Sequence, residues 1–366
     1  MKTSKFLFSC FVAIFFATGI FSAFGAVAGG VALGASILGN SNKGVLKMAV
    51  TPEIWTDYII GNLFKNNEFL LNSIDESQYV IGTGVVHIPQ AGSPSGVKRN
   101  RKILPATITR RKDIDVTYVL DEFTTDPRFI PNIDKAELSY SKVDSCMSED
   151  MSYLNQFIAE AMLYNWRPTC FIKTTGSATA GHYGTGNRNA VKIADFVKAK
   201  ETFNRWGIAK EDRFVIMDVD MKGQLVSELL ANTTKDFSAI YDATTGDLKK
   251  LESFTIMERQ NTLVASNSTV TAVAGTSYFK WTSTDLTYTP EQMEAIEAGD
   301  SSVATTACAV AIFWQKNMVA RAVGTTQMFD DQGNPQYYGD IYSFLQRAGG
   351  RTRRGDGKGV LGLIQV

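Results

Sequence analysis

An α+β fold follows from three features of the sequence. Apolar, β-branched runs appear in 79–120, in 303–324 and again at the end of the chain, and these are strand signals. Residues 148–164 carry a single apolar stripe at helical spacing, as a helix lying on a core does. Residues 190–231 alternate helix, strand and helix. The 366 residues suffice for one large or two modest domains.

The chain opens on an anomaly. Lys2 and Lys5 are followed by no charge until Lys43, residues 6–24 are almost wholly apolar, and small residues dominate through Ser36. A basic start, an apolar core and small residues around 23–28 have the form of a secretory signal peptide, and the stretch is long enough to span a bilayer. Three readings stay open: a true signal or anchor, a start placed upstream of Met48, or a leader removed or buried as the protein matures. Residues 1–47 are set aside from the fold.

Residues 49–75 hold Ile54, Trp55, Tyr58, Ile59, Leu63 and Phe64 at partly helical spacing. Residues 79–88 are rich in valine and isoleucine, and 89–96 are turn chemistry. Ile114, Val116, Tyr118 and Leu120 then alternate with Asp115, Thr117 and Val119, which predicts a half-buried strand. Between these strands stand Lys98, Arg99, Arg101, Lys102, Arg110, Arg111 and Lys112, with no acid among them. Such a run suits a phosphate grip or a plain solvated face.

The helix expected over 148–164 has Ser148 as its cap, Glu149 and Asp150 at its positive end, and Leu154, Phe157, Ile158, Ala161 and Met162 as its stripe. Trp166-Arg167-Pro168 ends it. Residues 173–189 are polar and glycine-rich, an expected open loop. Asn189 is the expected cap of a helix bearing Ile193, Phe196 and Val197, with Gly207 past its end. A strand over 213–218 and a helix over 221–230 follow. Residues 262–289 are rich in Ser, Thr and β-branched types, which suits short strands. Residues 303–314 read as a buried strand whose sheet 319–324 continues, and 330–334 as an acidic turn. The chain closes on aromatics (Tyr337, Tyr338, Ile341, Tyr342, Phe344), then on Arg347, Arg351, Arg353, Arg354 and Lys358 among glycines, then on an apolar strand-like run. The aromatics need a buried or interface surface.

Composition narrows the function. With 37 basic and 37 acidic residues, the chain lacks the basic excess of a dedicated nucleic-acid binder. Cys10, Cys146, Cys170 and Cys308 lie far apart with no C-x-x-C pair, so buried free thiols are expected rather than a disulfide framework or zinc site. Two histidines, His87 and His182, leave little for metal or triad chemistry. Gly181-His182-Tyr183-Gly184-Thr185-Gly186 has neither a G-K-[ST] ending nor G-x-G-x-x-G spacing. Asp218 and Asp220 could pair as catalytic or metal carboxylates, yet no supporting His or acid cluster accompanies them. No catalytic, cofactor or metal site is expected.

"DVTYVLDEFTTDP" at 115–127, "ELSYSKVDS" at 137–145, "NWRP" at 165–168, "ACAVAIFWQKNMVARAVG" at 307–324, "YYGDIYS" at 337–343 and "GGRTRRGDGKGVLGLIQV" at 349–366 occur in one order. In this the chain resembles the major capsid proteins of tailed bacteriophages, in particular those of Bacteroidetes phages and prophages, over roughly residues 48–366. The resemblance implies the Johnson-type capsid fold: an N-terminal arm (48–78), an extended β-hairpin loop (79–120), a peripheral domain with a long spine helix and β-sheet (121–170 and 303–366), and an axial α/β domain (171–302). It implies a non-enzymatic structural subunit that self-assembles into the hexamers and pentamers of an icosahedral shell enclosing double-stranded DNA. Such a subunit resides in the virion and is built in the host cytoplasm, with scaffolding, portal and decoration proteins as further partners and weak contact with packaged DNA. The interface candidates are Lys98, Arg99, Arg101, Lys102, Arg110 and Arg111, reaching acids such as Asp121, Glu122 and Asp126 of an adjacent subunit, together with Tyr337, Tyr338, Arg351, Arg353 and Arg354. The alternative is an exported or membrane-anchored binding protein, suggested by the N-terminus and the Ser/Thr-rich β region. A hydrolase or nucleotide enzyme has only Asp218, Asp220 and the 181–186 loop behind it.

Overall fold

The structure, a computed structural model, describes residues 67–132, 142–231 and 241–366, apart from 81–83, 91, 93–95, 103, 106–107, 109, 181–182, 184–185, 243–245, 249, 267–269, 274–275, 277, 282–286 and 298–306. The leader expected over 1–47, the arm up to residue 66 and His182 lie outside the described residues.

The chain enters through a 3-10 turn, Glu68–Asn72, and a short strand β1 (Ile74–Asp75). A ribbon follows, with β2 (Val85–Gln90) antiparallel to β3 (Ile114–Val119) and Val86 opposite Tyr118. Its two faces separate as the sequence alternation predicts. Val86, Ile88, Val116, Tyr118 and Leu120 are buried, whereas His87, Asp115, Thr117 and Val119 are exposed. The apolar face packs on Val80 and on Ala322. Then come β4 (Asp121–Thr124), β5 (Arg128–Pro131) and the long helix α1 (Lys142–Asn165).

Helix α1 begins well before Ser148, which lies inside it rather than capping it. Buried Met147 and Met151 extend the apolar stripe of Leu154, Ile158 and Met162 toward the N-terminus. Packing of that longer face outweighs the local cap signal. The 173–189 stretch is not an open loop either. After β6 (Cys170–Lys173), strands β7 (Ala178–Ala180) and β8 (Asn187–Asn189) form a small hairpin. Asn189 belongs to that hairpin, its amide donating to the Val366 carbonyl at 2.9 Å, and so it does not cap the next helix. Helix α2 (Ile193–Arg205) is instead closed by buried Asp195, whose carboxylate accepts the Lys192 amide at 3.1 Å and the Thr175 hydroxyl at 2.7 Å. Gly207, at φ +70°, follows its end as expected.

Strand β9 (Arg213–Asp218) and helix α3 (Val219–Ala231) come next. The small pair β10 (Tyr241–Asp242) and β11 (Asp247–Leu248) precedes β12 (Lys250–Leu251), β13 (Phe254–Arg259), β14 (Leu263–Ser266), β15 (Val270–Ala272) and β16 (Phe279–Trp281). Helix α4 (Pro290–Glu297) leads to β17 (Ala307–Gln315), β18 (Val319–Asn334), β19 (Gly339–Thr352) and β20 (Val360–Ile364).

Two larger sheets result. One has nine strands in the order β12-β13-β9-β17-β20-β6-β16-β15, with β14 also on β17. The other has five, β1-β18-β19-β4 with β5 also on β19. Every residue of β17 is buried, as a strand covered on both faces requires. Phe313 points into the cluster formed with α2 and α3, meeting Phe196 at 5.2 Å and Phe254 at 4.9 Å between ring centroids. Trp314 points the other way, toward Trp166 at the end of α1 (6.0 Å) and Phe214 (5.9 Å).

The strand starting at Val319 does not continue the sheet of β17. Both edges of β17 are taken, by β9 and β14 on one side and β20 on the other. The chain turns through Lys316–Met318, and β18 builds the second sheet with β19. Residues 330–334 are the end of β18, with a register shift between Asp331 and Asn334, and the turn falls at 335–338. β17 and β20 stand at the centre of the nine-stranded sheet, among strands drawn from 170–281. A strand buried on both faces needs neighbours on both edges, and sequence distance does not restrict which they are.

Gly349 and Gly350 answer to close approach. A Cβ at Gly349 would stand 2.9 Å from a methyl of Leu120, and one at Gly350 2.8 Å from Trp166 Nε1. Here the base of the ribbon and the end of α1 press on β19. Cys170 and Cys308 are buried, and burial pushes both thiols up.

Gln346 on β19 is wholly buried, and neither amide atom has a hydrogen-bond partner among the described residues. An unsatisfied buried amide costs about 1–3 kcal/mol. Gln346→Met, which keeps the volume and removes the polar atoms, is expected to raise stability by that order in urea denaturation. A loss of stability would show that the amide is satisfied in solution.

Candidate assembly surface

The segment that precedes the ribbon is pinned by buried polar groups. Arg321 on β18 is 7% exposed and donates to the carbonyl of Ser73 (3.1 Å), the Ser73 hydroxyl (3.0 Å), the carbonyl of Leu70 and the carboxylate of Asp75 (3.3 Å). Burial pulls its guanidinium below the usual arginine range. Trp314 Nε1 donates to the Asn72 carbonyl at 2.9 Å, and Trp166 Nε1 to the Ala320 carbonyl at 2.9 Å. Glu76 is 2% exposed and stands 3.0 Å from Arg353 Nε, with the Tyr118 hydroxyl donating to it at 3.2 Å. Burial pushes the Glu76 carboxyl up, and Arg353 and Tyr118 offset this only in part.

Beyond this anchored base, the ribbon carries the basic loop. Lys98, Arg99, Arg101, Lys102, Arg110, Arg111 and Lys112 are all exposed, and Arg111 pairs with Asp113 at 2.6 Å. The apolar residues Val97, Leu104 and Ile108 are 96%, 76% and 97% exposed on the same loop. Exposed cations and exposed aliphatics thus share one loop.

A groove of about 1100 Å³ lies between α1, the 121–128 stretch and α4. Asp121, Glu122, Asp126, Asp150, Glu291 and Glu294 line it, against Arg128 as the cation of its lining. Arg128 Nε donates to Asp150 at 3.2 Å, and Glu122 pairs with Arg347 at 2.7 Å. Phe123 and Phe157 stack edge to face at 6.0 Å, and Leu154, Ala161 and Tyr164 supply further apolar wall. Sequence reasoning had named Asp121, Glu122 and Asp126 only. Asp150, Glu291 and Glu294 come from α1 and α4, and no local pattern links them to the others.

The C-terminal candidates divide. Tyr337 and Tyr338 are exposed at the turn between β18 and β19, Tyr337 lying 6.0 Å from the Phe129 ring. Tyr342 and Phe344 turn inward and are buried. The arginines bind within the chain: Arg351 to the Thr117 carbonyl at 2.6 Å, Arg353 to Glu76, and Arg354 to Asp356 at 2.6 Å. Burial pushes the Asp356 carboxyl up, but bonds from Arg354 and the Lys358 amide outweigh it and hold it below the usual range.

The fold matches solved capsid structures along most of its length. The capsid of the cyanophage P-SCSP1u covers 81% of this chain and 86% of its own, at 15% identity and a TM-score of 0.54. The acidic stable capsid structure of Helicobacter pylori bacteriophage KHP30 covers 80% and 88%, at 13% identity and 0.52. The capsid of Ralstonia phage GP4 covers 80% and 87%, at 8% identity and 0.51. The chain has the phage capsid fold. No family model matches the sequence, and no curated protein is similar to it.

In this capsid fold the other candidates do not converge. Asp218 is buried at the end of β9, while Asp220 is exposed in the first turn of α3. Among the described residues no group of three or more His, Cys, Asp or Glu could hold a metal ion. Of the 181–186 loop only Tyr183 and Gly186 are described. No helix among the described residues is long and apolar enough to cross a membrane.

Arg321 donates to the carbonyl of buried Ser73 and shares that of buried Leu70 with the Ser73 hydroxyl, so Arg321→Met removes a donor from both and the partner of Asp75. We expect a loss of about 1–3 kcal/mol in chemical denaturation, with chymotrypsin cleavage at Phe69–Leu71 accelerated more than elsewhere.

Proposed function

We propose that this protein is a structural subunit of a tailed-phage icosahedral capsid, self-assembling into the shell that encloses the double-stranded DNA genome. The observation that carries this is the match of four-fifths of the chain to phage capsids whose own chains are covered as fully. In this reading α1 is the spine helix, the β18–β19 sheet the peripheral domain, the nine-stranded sheet with α2 and α3 the axial domain, and the β2–β3 ribbon the extended loop. The work of such a subunit is geometric: identical chains make heterologous contacts that close because the symmetry closes.

The loop and the groove are the contact we assign. Lys98, Arg99, Arg101, Lys102, Arg110 and Arg111 of one copy face Asp121, Glu122 and Asp126 of the next, joined there by Asp150, Glu291 and Glu294. Val97, Leu104 and Ile108 meet the apolar wall of Phe123, Leu154 and Phe157. The support is complementarity in charge and in polarity between two surfaces of the same chain. Exposed ion pairs contribute little singly, about 0–1 kcal/mol, and the charges act on encounter and register more than on affinity. Apolar burial at about 25 cal/mol per Å² then supplies affinity in each of many interfaces. Tyr337 and Tyr338 form a second contact at the hairpin turn. The near-neutral chain suits weak, non-specific contact with packaged DNA, and scaffolding, portal and decoration proteins are the expected further partners. The alternative of an exported binding protein rests on the composition of residues 1–47 and of the Ser/Thr-rich stretch 262–289.

Purified protein is expected to form large uniform particles by size-exclusion light scattering. A small monodisperse species under all assembly conditions sinks the proposal. Arg101→Glu with Lys102→Glu should slow assembly and remove much of its salt dependence. Adding Asp126→Arg should restore part of the rate, which a loop that docks elsewhere would not allow.

A further inference from the structure

One face of α1 carries side chains that the core does not use. Tyr153, Gln156, Phe157 and Glu160 follow one another at helical spacing, which sets them one above the next on the helix. Together with Asn261 and Glu294 they line a recess of about 270 Å³. Tyr153, Gln156 and Glu294 are exposed at its rim, and Phe157 is half-buried. Glu160 and Asn261 are only 7% and 5% exposed and make its floor. No lysine, arginine or histidine is among the lining residues.

The floor is polar and incompletely used. Glu160 Oε1 accepts from Gln156 Nε2 and from Arg259, both at 3.4 Å. Arg259 also donates to the backbone carbonyl of Asn261 at 2.9 Å. The side-chain amide of Asn261 makes no hydrogen bond with any described residue. A buried amide in that state is costly, and the recess is the space that it lines. At the rim the Tyr153 hydroxyl donates to Glu294 and holds that carboxylate beside the ring. Arg259 offsets the charge of Glu160, and Glu294 leaves the recess net negative.

We propose that this recess is a guanidinium socket, filled by an arginine from the basic loop of a second copy. A guanidinium is flat and carries its N–H donors around its edge. That edge can donate to Asn261 Oδ1 and to the carboxylates while the flat face lies against the ring of Tyr153 or Phe157. A lysine ammonium brings the same charge without the face or the fork of donors. The occupant follows from continuity: Tyr153, Phe157 and Glu294 line the acidic groove as well, so a loop lying in the groove passes the mouth of the recess. Arg99, Arg101 and Arg110 are exposed on that loop, while Arg111 is held by Asp113 at 2.6 Å. The choice of occupant rests on the assignment of the loop to the groove; the chemistry of the socket does not.

The test is the binding of a fluorescent peptide with the sequence of residues 97–113 to the unassembled full chain, read by anisotropy. Its counterpart carries Arg99→Lys, Arg101→Lys, Arg110→Lys and Arg111→Lys, which keeps every charge. We expect the arginine peptide to bind about tenfold more tightly. Asn261→Leu, which removes the amide and keeps a side chain of similar size, should bind both peptides at about the affinity of the lysine form. Equal binding of the two peptides, no binding of either, or an arginine preference that survives in Asn261→Leu overturns the proposal. The peptide comparison uses the natural chain, so it decides the matter even if Asn261→Leu folds poorly. If the arginine preference is found and the protein forms no particles, the socket stands and the capsid reading falls. If particles form and the preference is missing, the capsid reading stands and the socket falls.

Discussion

Burial of β17 on both faces is the constraint from which the rest of this fold follows. The strand is apolar up to its last residue, Gln315, and its odd and even residues serve different layers. Phe313 closes the aromatic cluster under α2 and α3, while Trp314 meets Trp166 where α1 ends. A strand of this kind must have its backbone groups satisfied on both edges, and it recruits β9 and β20 to do so. That draws the end of the chain into the centre of the large sheet and leaves β18 and β19 to form the second sheet. Trp314 extends the same constraint, since its indole N–H holds the Asn72 carbonyl of the entering segment.

The two sheets have different characters for that reason. The nine-stranded sheet is closed around a continuous apolar core. The five-stranded sheet instead carries polar joints. Arg321, Glu76 and Arg353 sit where an entering segment, a ribbon and the C-terminal segment cross, and Gly349 and Gly350 let them pass within contact distance. Buried charges with designated partners give direction rather than mere cohesion. A ribbon that projects a basic, aliphatic-tipped loop needs such direction at its base, because a small change of angle there moves the tip far.

The groove shows how a surface arises that no single element encodes. Its carboxylates come from β4, the turn after it, α1 and α4. Each belongs to an ordinary solvated face in its own element. Set side by side, with Asp150 and Glu122 offset by Arg128 and Arg347, they make an acidic edge beside an aromatic wall that the chain's overall neutrality hides.

Much was legible before any coordinates. The alternation from Val116 to Leu120, the stripe from Leu154 to Met162 and the strand 213–218 each depend on a period that a side chain shares with its near neighbours, and the structure has them as read. The cations of the 98–112 loop were equally plain, because charge without nearby opposite charge stays at the surface. Where local signals were read as boundaries, they misled: Ser148 and Asn189 look like helix caps, but packing lengthened one helix and strand pairing claimed the other residue. The sequence by itself therefore determined the strongly periodic strands and helices and the faces they bury, but not the short β7–β8 hairpin or the length of β18. Tertiary structure alone decided which sheet β18 joins, which acids share the groove, and that Glu76 meets Tyr118 and Arg353. Periodicity acts over a few residues, whereas these choices rest on satisfying backbone edges and buried charges across hundreds.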